Sequence, residues 1–270
     1  MTETVPEYRI YAIRYASRDA QRRDHFLMGD PHEGDMPMDY FVWAIVGPDE
    51  TIVVDLGFTE ETAIERKRDF YRCPIDTLNE IGVDPADVKT VILTHMHYDH
   101  VGNFDKLPNA QFHLQEPEIH FAVGRHMRND FLAHPFNVDD VVGVVRLNYK
   151  KRVTFYDGPA KIAPGITVTP VGGHSVGLQF VTVETADGPV ILASDVTHFY
   201  ENIESRRLFP AVVSATDMFD AYDAVEAAAG KNGVIVPGHD PQVMTRYSSD
   251  SPALEGIAVR VDRKPVLKSQ

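Results

Sequence analysis

The most constraining feature of this chain is a group of metal-binding side chains directly after a short apolar run. Residues 91–93 are Val-Ile-Leu, and residues 95–100 read His-Met-His-Tyr-Asp-His. His95 and His97 are two residues apart, so an extended segment projects them to the same side, while Asp99 and His100 follow where the chain can turn. Burying these groups without partners would cost several kcal/mol. The segment therefore predicts a metal site at the end of a buried strand, suited to zinc, iron or manganese.

Three later residues occupy the same kind of position. His174 follows the segment 167–173, Asp195 follows the apolar run 190–194, and His239 follows the segment 234–238. In a sheet-based enzyme, side chains at strand ends converge on one site while the strands form its frame. Together with the first group, these three residues provide enough ligands for two metal ions.

Apolar periodicity predicts alternating strands and helices in one domain covering residues 1–270. Predicted strands cover residues 8–16, 40–46, 51–55, 88–93, 110–114, 153–156, 166–171, 180–184, 190–193 and 233–236, and predicted helices cover 59–81, 117–128 and 216–229. The strand–helix–strand order of residues 51–93 predicts a βαβ unit. Asp187-Gly188 predicts the turn of a hairpin.

The segment 17–39 is a long loop that contains Phe and Met residues. Such loops are uncommon unless they cover something. We interpret it as a substrate-covering loop or, equally, as a loop packed on the core. In the first case His25 and His32 would line the pocket.

Composition excludes several classes of protein. The formal net charge of -14 argues against binding a nucleic-acid backbone, which requires a basic surface. The single cysteine, Cys73, excludes an internal disulfide framework, and we interpret it as an ordinary helix residue. We see no signal peptide, and no apolar run approaches the roughly 20 residues of a membrane span. We expect a cytoplasmic protein acting on a small molecule, with neither nucleic acid nor membrane as a partner.

The ordered ligand set of this chain resembles that of the metallo-β-lactamase superfamily, over about residues 55–240. The resemblance implies a single-domain α/β (α+β) protein, a four-layered αββα sandwich with the metal site along one edge of its two sheets. It assigns one ion to His95, His97 and His174, a second to Asp99, His100 and His239, a bridging role to Asp195, and support of the ligand loop to Asp55.

Within the superfamily, the chain is most similar to the N-acyl-homoserine lactonases. The β-lactamases use a Cys at the second metal, which this chain lacks there, and the flavodiiron branch has a Glu where His97 stands. The resemblance implies a hydrolase that opens a lactone by attack of a metal-bridging hydroxide, with Asp99 or the bridging solvent carrying the proton. The alternatives are hydrolysis of another ester, a thioester (as in glyoxalase II) or a cyclic amide, and a non-catalytic regulatory protein that binds metal.

One position departs from the lactonase pattern. The best-known lactonases have a Tyr three residues after the bridging Asp, thought to hydrogen-bond the substrate carbonyl, and this chain has His198 there. We predict that His198 donates that hydrogen bond or that Tyr200 replaces it, unless either side chain is only packed. As cofactors we expect two divalent ions, zinc first, with iron, manganese or cobalt accepted by the same ligands. The resemblance also implies a homodimer.

Overall fold

The computed structural model describes residues 6–266, so the predicted domain bounds at residues 1–5 and 267–270 lie outside the described part. Its strands are β1 (Arg9–Arg18), β2 (Met38–Val46), β3 (Thr51–Val54), β4 (Asp69–Phe70), β5 (Thr90–Ile92), β6 (Gln111–Gln115), β7 (Val153–Tyr156), β8 (Ala160–Ala163), β9 (Ile166–Pro170), β10 (Gln179–Val183), β11 (Val190–Ser194), β12 (Val234–Pro237) and β13 (Ala258–Arg260). Its α-helices are α1 (Glu60–Arg66), α2 (Tyr98–Val101), α3 (Glu116–Ala122), α4 (Asp130–Ala133), α5 (Val138–Tyr149), α6 (Tyr200–Glu204), α7 (Ala215–Ala229) and α8 (Val243–Arg246).

These strands form two sheets that divide the chain almost in half. The first sheet has the order β13-β1-β2-β3-β5-β6-β7, with β4 beside β1, and the second has the order β12-β11-β10-β9-β8. β3 and β5 are parallel, which confirms the predicted βαβ unit. β10 and β11 form the predicted antiparallel hairpin. Only β13 returns from the second half of the described chain to the first sheet.

Three separate apolar clusters hold four layers together. Between the sheets, Trp43 and Val54 of the first sheet share a cluster with Val181 and Leu192 of the second. A second cluster joins the first sheet to α1, α3 and α5, and a third joins the second sheet to α7. Burying each such large side chain contributes about 1.5–3 kcal/mol. The layers are therefore helix, sheet, sheet and helix, which confirms the predicted αββα sandwich.

The predicted single helix over residues 59–81 is wrong. α1 ends at Arg66 because Lys67 adopts a left-handed conformation with φ of 55°. β4 then pairs with β1, and only a 3-10 helix over residues 76–81 follows. Pro74 has no N–H for a helical hydrogen bond. Cys73 consequently lies half-buried in irregular chain, not in a helix.

Two further regions differ from the prediction or extend it. The helix predicted over residues 117–128 ends at Ala122, and a separate 3-10 turn covers residues 125–128. The segment 129–150, for which the sequence makes no prediction, contains α4 and α5. Within residues 6–266, no helix is both long and apolar enough to cross a membrane.

Candidate metal centre

The first four candidate ligands lie on the connection from β5 to α2. β5 ends at Ile92, and His95 and His97 follow in the connecting segment. Asp99 and His100 lie within the single turn of α2, which begins at Tyr98. All four side chains are buried. His95 and His97 thus lie in the segment after the strand, and Asp99 and His100 lie in the first turn of the helix.

The other three candidate ligands come from strand ends in the second sheet. His174 follows β9, Asp195 directly follows β11, and His239 follows β12. A Cβ atom on Gly238 would lie 2.6 Å from Oδ1 of Asp195, so this close approach of two strand ends requires glycine. The edge of the second sheet therefore meets the ligand-bearing segment of the first.

The donor atoms of these residues converge around Asp195. Its Oδ2 lies 3.2 Å from Nε2 of His174, and its Oδ1 lies 3.1 Å from Nε2 of His239 and 3.4 Å from Nε2 of His100. Four groups of three residues have ligand atoms within 4.8 Å of one another: His95, His97 and His174; His95, His100 and Asp195; Asp99, His100 and His239; His174, Asp195 and His198.

The second ring nitrogen of four histidines has a partner that orients the ring. The partners of Nδ1 are Asp55 Oδ2 for His100 (2.7 Å), Ala211 O for His174 (2.7 Å), Asp39 O for His239 (3.0 Å) and Thr94 Oγ1 for His95 (3.1 Å). Metal-binding histidines usually donate their other N–H in this way, which leaves Nε2 as the ligand atom. Each Nε2 is thereby directed into the cluster.

Asp55 and Asp240, two buried carboxylates near the candidate ligands, have different roles. Asp55 contacts His100 and also accepts from the backbone N–H of Thr94 at 2.7 Å. Asp240 instead accepts from the backbone N–H groups of Tyr200 (3.0 Å) and Gln242 (2.8 Å). Asp240 therefore stabilises the chain after β12 and the start of α6, and orients no ligand.

The charges in the cluster are those expected of a cation site. Burial, reinforced by neighbouring imidazoles, holds the pKa of His95 and of His97 well below the usual value, so both rings are neutral. Burial also opposes charge on His100, but the carboxylates of Asp195, Asp55 and Asp99 outweigh it and raise the pKa of His100. The cluster thus favours a positive charge at His100, and a divalent cation would take the place of that proton, because metal binding requires a neutral imidazole and ionised carboxylates.

Two buried polar atoms show directly that the cluster needs a further partner. Nε2 of His100 and Oδ1 of Asp195 are buried without a hydrogen bond in the described chain. A buried polar atom without a partner costs free energy, and a divalent cation would satisfy both. The donors are nitrogen and oxygen atoms only, which suit zinc, iron, manganese or cobalt. The residues therefore fit a pair of divalent ions.

The two residues considered for the position of the lactonase Tyr lie in different environments. Nε2 of His198 is 3.0 Å from Oδ2 of Asp195, and its ring stacks on Phe209 at 3.6 Å between centroids. Tyr200 is the first residue of α6, and its ring packs under Arg246 at 3.6 Å, in the apolar cluster between the sheets. The structure therefore does not bring Tyr200 to the site, because α6 turns its side chain toward the core.

A cavity of about 230 Å³ opens onto the metal centre. Its wall includes Arg18 and Met38 of the segment 17–39. It also includes residues for which the sequence carries no functional signal: Tyr40, Arg66, Arg68, Tyr98, His134, Pro135, Pro210 and Ala211. His25 lines this cavity as predicted for the loop, but His32 does not and its side chain is largely exposed. The loop is also fixed in place, because the carboxylate of Asp30 forms ion pairs with Arg22 of the same loop and with Arg207. The segment 17–39 thus contributes to the cavity wall, and its covering of a substrate stays a prediction.

An apolar groove of about 550 Å³ adjoins this cavity. The two spaces share lining residues of the segments 134–135 and 210–211. His97 and His174 also line both spaces. Beyond them the groove is lined by Asp130, Phe131, Leu132, Val212 and Val213, and Phe131 is 64% exposed. Together the two spaces reach the usual size of a small-molecule site, with a polar end and an apolar end.

Comparison with known proteins agrees with this architecture. The chain is 27% identical over 182 residues to the N-acyl homoserine lactonase AttM of Rhizobium radiobacter, covering 64% of this chain and 66% of that protein. It therefore spans slightly less than two thirds of that relative. It is 24% identical over 243 residues to AttM of Rhizobium johnstonii, covering 81% and 88%.

Solved structures share the fold. A quorum-quenching N-acyl homoserine lactone lactonase superposes with a TM-score of 0.74 at 20% identity, covering 90% of this chain and 95% of that one. The dizinc quorum-quenching lactonase AidC superposes with a TM-score of 0.68 at 15% identity, covering 89% and 90%. The family model described as "Metallo-beta-lactamase superfamily" matches residues 36–239, well over half of the sequence. The chain belongs to the metallo-β-lactamase superfamily.

Proposed function

We propose that this protein is a metal-dependent hydrolase that opens a lactone ring, with N-acyl-homoserine lactones the first class to test. The observation that carries the proposal is the convergence of seven side chains with nitrogen and oxygen donor atoms, from both sheets, beside a cavity and an apolar groove. Its relatives are named N-acyl homoserine lactonases, which supports the same reaction class.

We assign the ligands to two ions as the family pattern suggests. One ion would be held by His95, His97 and His174, the other by Asp99, His100 and His239, with Asp195 shared between them. Zinc is the first candidate, because one structural relative is named a dizinc lactonase. When bound, such ions lower the pKa of water toward about 7 and polarise a carbonyl group.

His198 would act on the carbonyl oxygen of the substrate. Burial lowers its pKa to about 3, so the ring is neutral at pH 7 and carries one N–H. Stacking on Phe209 fixes the ring, and Nε2 lies 3.0 Å from Oδ2 of Asp195. With that carboxylate engaged as a metal ligand, the N–H would be shared with the carbonyl oxygen of a substrate. A donor held in this way stabilises the negative charge that develops on the carbonyl oxygen. Asp99, whose side chain lines the cavity, would carry a proton to the leaving ring oxygen.

The apolar groove would bind the acyl chain of such a substrate. Phe131, Leu132, Val212 and Val213 give it an apolar lining, with the exposed Asp130 as its carboxylate, and it adjoins the metal cavity. Apolar side chains of a substrate gain about 25 cal/mol for each Å² removed from water. Longer acyl chains should therefore bind more tightly until the groove is filled.

The test is a lactone panel with purified protein of measured metal content. Proton release is followed for lactones of different ring size and acyl length, before and after chelation and after metal is restored. Metal-dependent ring opening by the wild type supports the proposal. The substitution Asp195→Asn should abolish this activity, and Asp187→Asn, at an exposed position, should leave it intact. If two ions are bound and every lactone is inert, the proposal is wrong, and thioesters and cyclic amides are assayed next. Metal binding without turnover of any of these would favour a regulatory protein.

A further inference from the structure

One wall of the metal cavity carries three arginines. Arg18 ends β1, Arg66 ends α1, and Arg68 lies just before β4, and all three line the cavity and are half-buried. Among residues 6–266, none of the three forms an ion pair. Elsewhere in the same acidic chain, arginines such as Arg22 and Arg207 do pair with carboxylates. We call these three residues the arginine wall.

The second and third members of the arginine wall are held rigidly. Arg66 donates to the carbonyl oxygens of His134 at 2.7 Å and Phe136 at 3.1 Å. Arg68 donates from Nε to the hydroxyl of Tyr98 at 3.1 Å, and from Nη1 to the carbonyl oxygen of Arg66. The guanidinium carbons of both lie over the ring of Tyr98, at 4.4 and 5.8 Å from its centroid. These contacts leave Nη2 of Arg68 without an acceptor in the described chain.

Of the three arginines, Arg18 has the most guanidinium N–H groups without an acceptor in the described residues. Its Nε is buried without a hydrogen-bond partner in the described residues, and its backbone is fixed opposite Met38 in the β1–β2 ladder. Apart from the metal-centre residues, the only carboxylate that lines this cavity within residues 6–266 is Asp24, which accepts from the backbone N–H of Gln21 at 3.0 Å. A buried N–H of a cation without an acceptor is unfavourable unless a ligand provides one.

We propose that the arginine wall binds a carboxylate of the substrate, so that the preferred substrate is a lactone bearing an anionic carboxylate near the ring. This inference rests on the proposed function for the lactone-opening reaction. The anion site itself is argued from the contacts of the three arginines. A guanidinium offers two parallel N–H groups that match the two oxygens of a carboxylate. A neutral lactone with only an acyl chain would fill the apolar groove and leave these donors unused.

The kinetic test compares substrates that differ only in charge. γ-Butyrolactone-γ-carboxylate and 5-carboxyphthalide are each paired with the corresponding carboxamide, and kcat/KM is measured for wild type, Arg18→Gln, Arg68→Gln and Arg9→Gln. Arg9, exposed at the other end of β1, is the matched control. In each wall variant the carboxylate-to-carboxamide ratio should fall about 10- to 100-fold, mainly through KM, because a charge-assisted hydrogen bond is lost. Arg9→Gln should leave the ratio unchanged, and bound metal is measured in every variant.

A binding measurement separates the anion site from the lactonase reaction. Isothermal titration uses benzenesulfonate, an inert anion that is a weak metal ligand, with neutral methyl phenyl sulfone as its comparison. Binding of the anion alone, lost in Arg18→Gln and retained in Arg9→Gln, supports the arginine wall even if every lactone is inert. The inference is overturned if benzenesulfonate does not bind, or if lactones are opened with no preference for the carboxylate that depends on Arg18 or Arg68.

Discussion

The carboxylate of Asp55 lies 2.7 Å from Nδ1 of His100, one of the candidate ligands. Asp55 adopts a left-handed conformation with φ of 61°, just after β3, and its carboxylate also accepts from the backbone N–H and the hydroxyl of Thr94. One side chain thus orients a ligand ring and fixes the start of the segment that carries His95 and His97. The tip of β3 is therefore part of the metal centre although it contributes no ligand.

Replacing Asp55 by Asn tests this support. Asn tolerates a positive φ, so the backbone is preserved, but its NH₂ group cannot accept. Either the backbone N–H of Thr94 or the pair formed by Nδ1 of His100 and the Thr94 hydroxyl therefore loses its acceptor. We expect metal affinity to fall about 10- to 100-fold, as for other groups that orient metal ligands. Competition with a chelator measures the change, and Asp87→Asn, at an exposed position, is the control. Equal affinities in the two variants would contradict the role of Asp55.

Glu118 of α3 links two ligand-bearing segments. Its carboxylate accepts from the backbone N–H of Met96 at 2.9 Å, from that of Gly177 at 2.7 Å, and from the hydroxyl of Ser175. In Glu118→Gln one of these donors would face an NH₂ group, so we expect a loss of about 1–3 kcal/mol in the free energy of unfolding. Urea denaturation measures it. Glu116→Gln, exposed on the same helix, should change stability little, and a similar loss there would reject the specific role.

His198→Ala tests the proposed donor. Removing one donor to a developing oxyanion lowers kcat about 10²- to 10³-fold in other hydrolases, and we expect the same here. Bound metal should stay at the wild-type level, since the proposal assigns His198 no metal. A parallel loss of metal would instead make His198 a ligand, in keeping with its place beside His174 and Asp195. Steady-state kinetics and metal analysis on the same sample distinguish the two roles.

The buried side chain of His25 makes the free energy of unfolding depend on pH, and comparison with a variant that lacks this histidine isolates its contribution. Burial lowers its pKa from 6.5 to about 4. Between these values the unfolded chain binds a proton that the folded chain does not, so the free energy of unfolding falls as pH drops from 6.5 to 4. His25→Gln, whose amide can still donate to the carbonyl oxygen of Met36, should reduce this fall by up to about 3 kcal/mol. Denaturant unfolding at several pH values measures it, with His32→Gln as the exposed control in the same loop. Identical pH profiles for wild type and His25→Gln would refute the prediction.

The fold class and the residues that converge at the metal centre could be predicted because the signals are local. Each candidate ligand follows an apolar strand, so its place at a sheet edge depends on a few neighbouring residues. The helix prediction over residues 59–81 fails for a long-range reason. Composition favours a helix, but Lys67 turns the chain and the pairing of β4 with β1 replaces the helical hydrogen bonds.

The arginine wall could not have been predicted for the same physical reason. Arg18 reaches the cavity from the end of β1, and Arg68 from the turn after α1, so their proximity depends on the pairing of β1 with β4 and on the ring of Tyr98. Tyr200 illustrates the opposite error. Its position two residues after His198 suggests a place at the site, but the start of α6 decides its direction. Sequence spacing does not determine which way a side chain points at a helix end.

The division of the described chain between the two sheets has a consequence for biosynthesis. Strands β1–β7 complete the first sheet apart from β13, and β8–β12 form the second, so an emerging polypeptide exposes four of the seven candidate ligands long before the other three are made. Such a half-finished product offers an ion only part of its coordination sphere. The full set of candidate ligands therefore exists only once both halves have docked, and a ribosome-bound or truncated product would lack three of the seven.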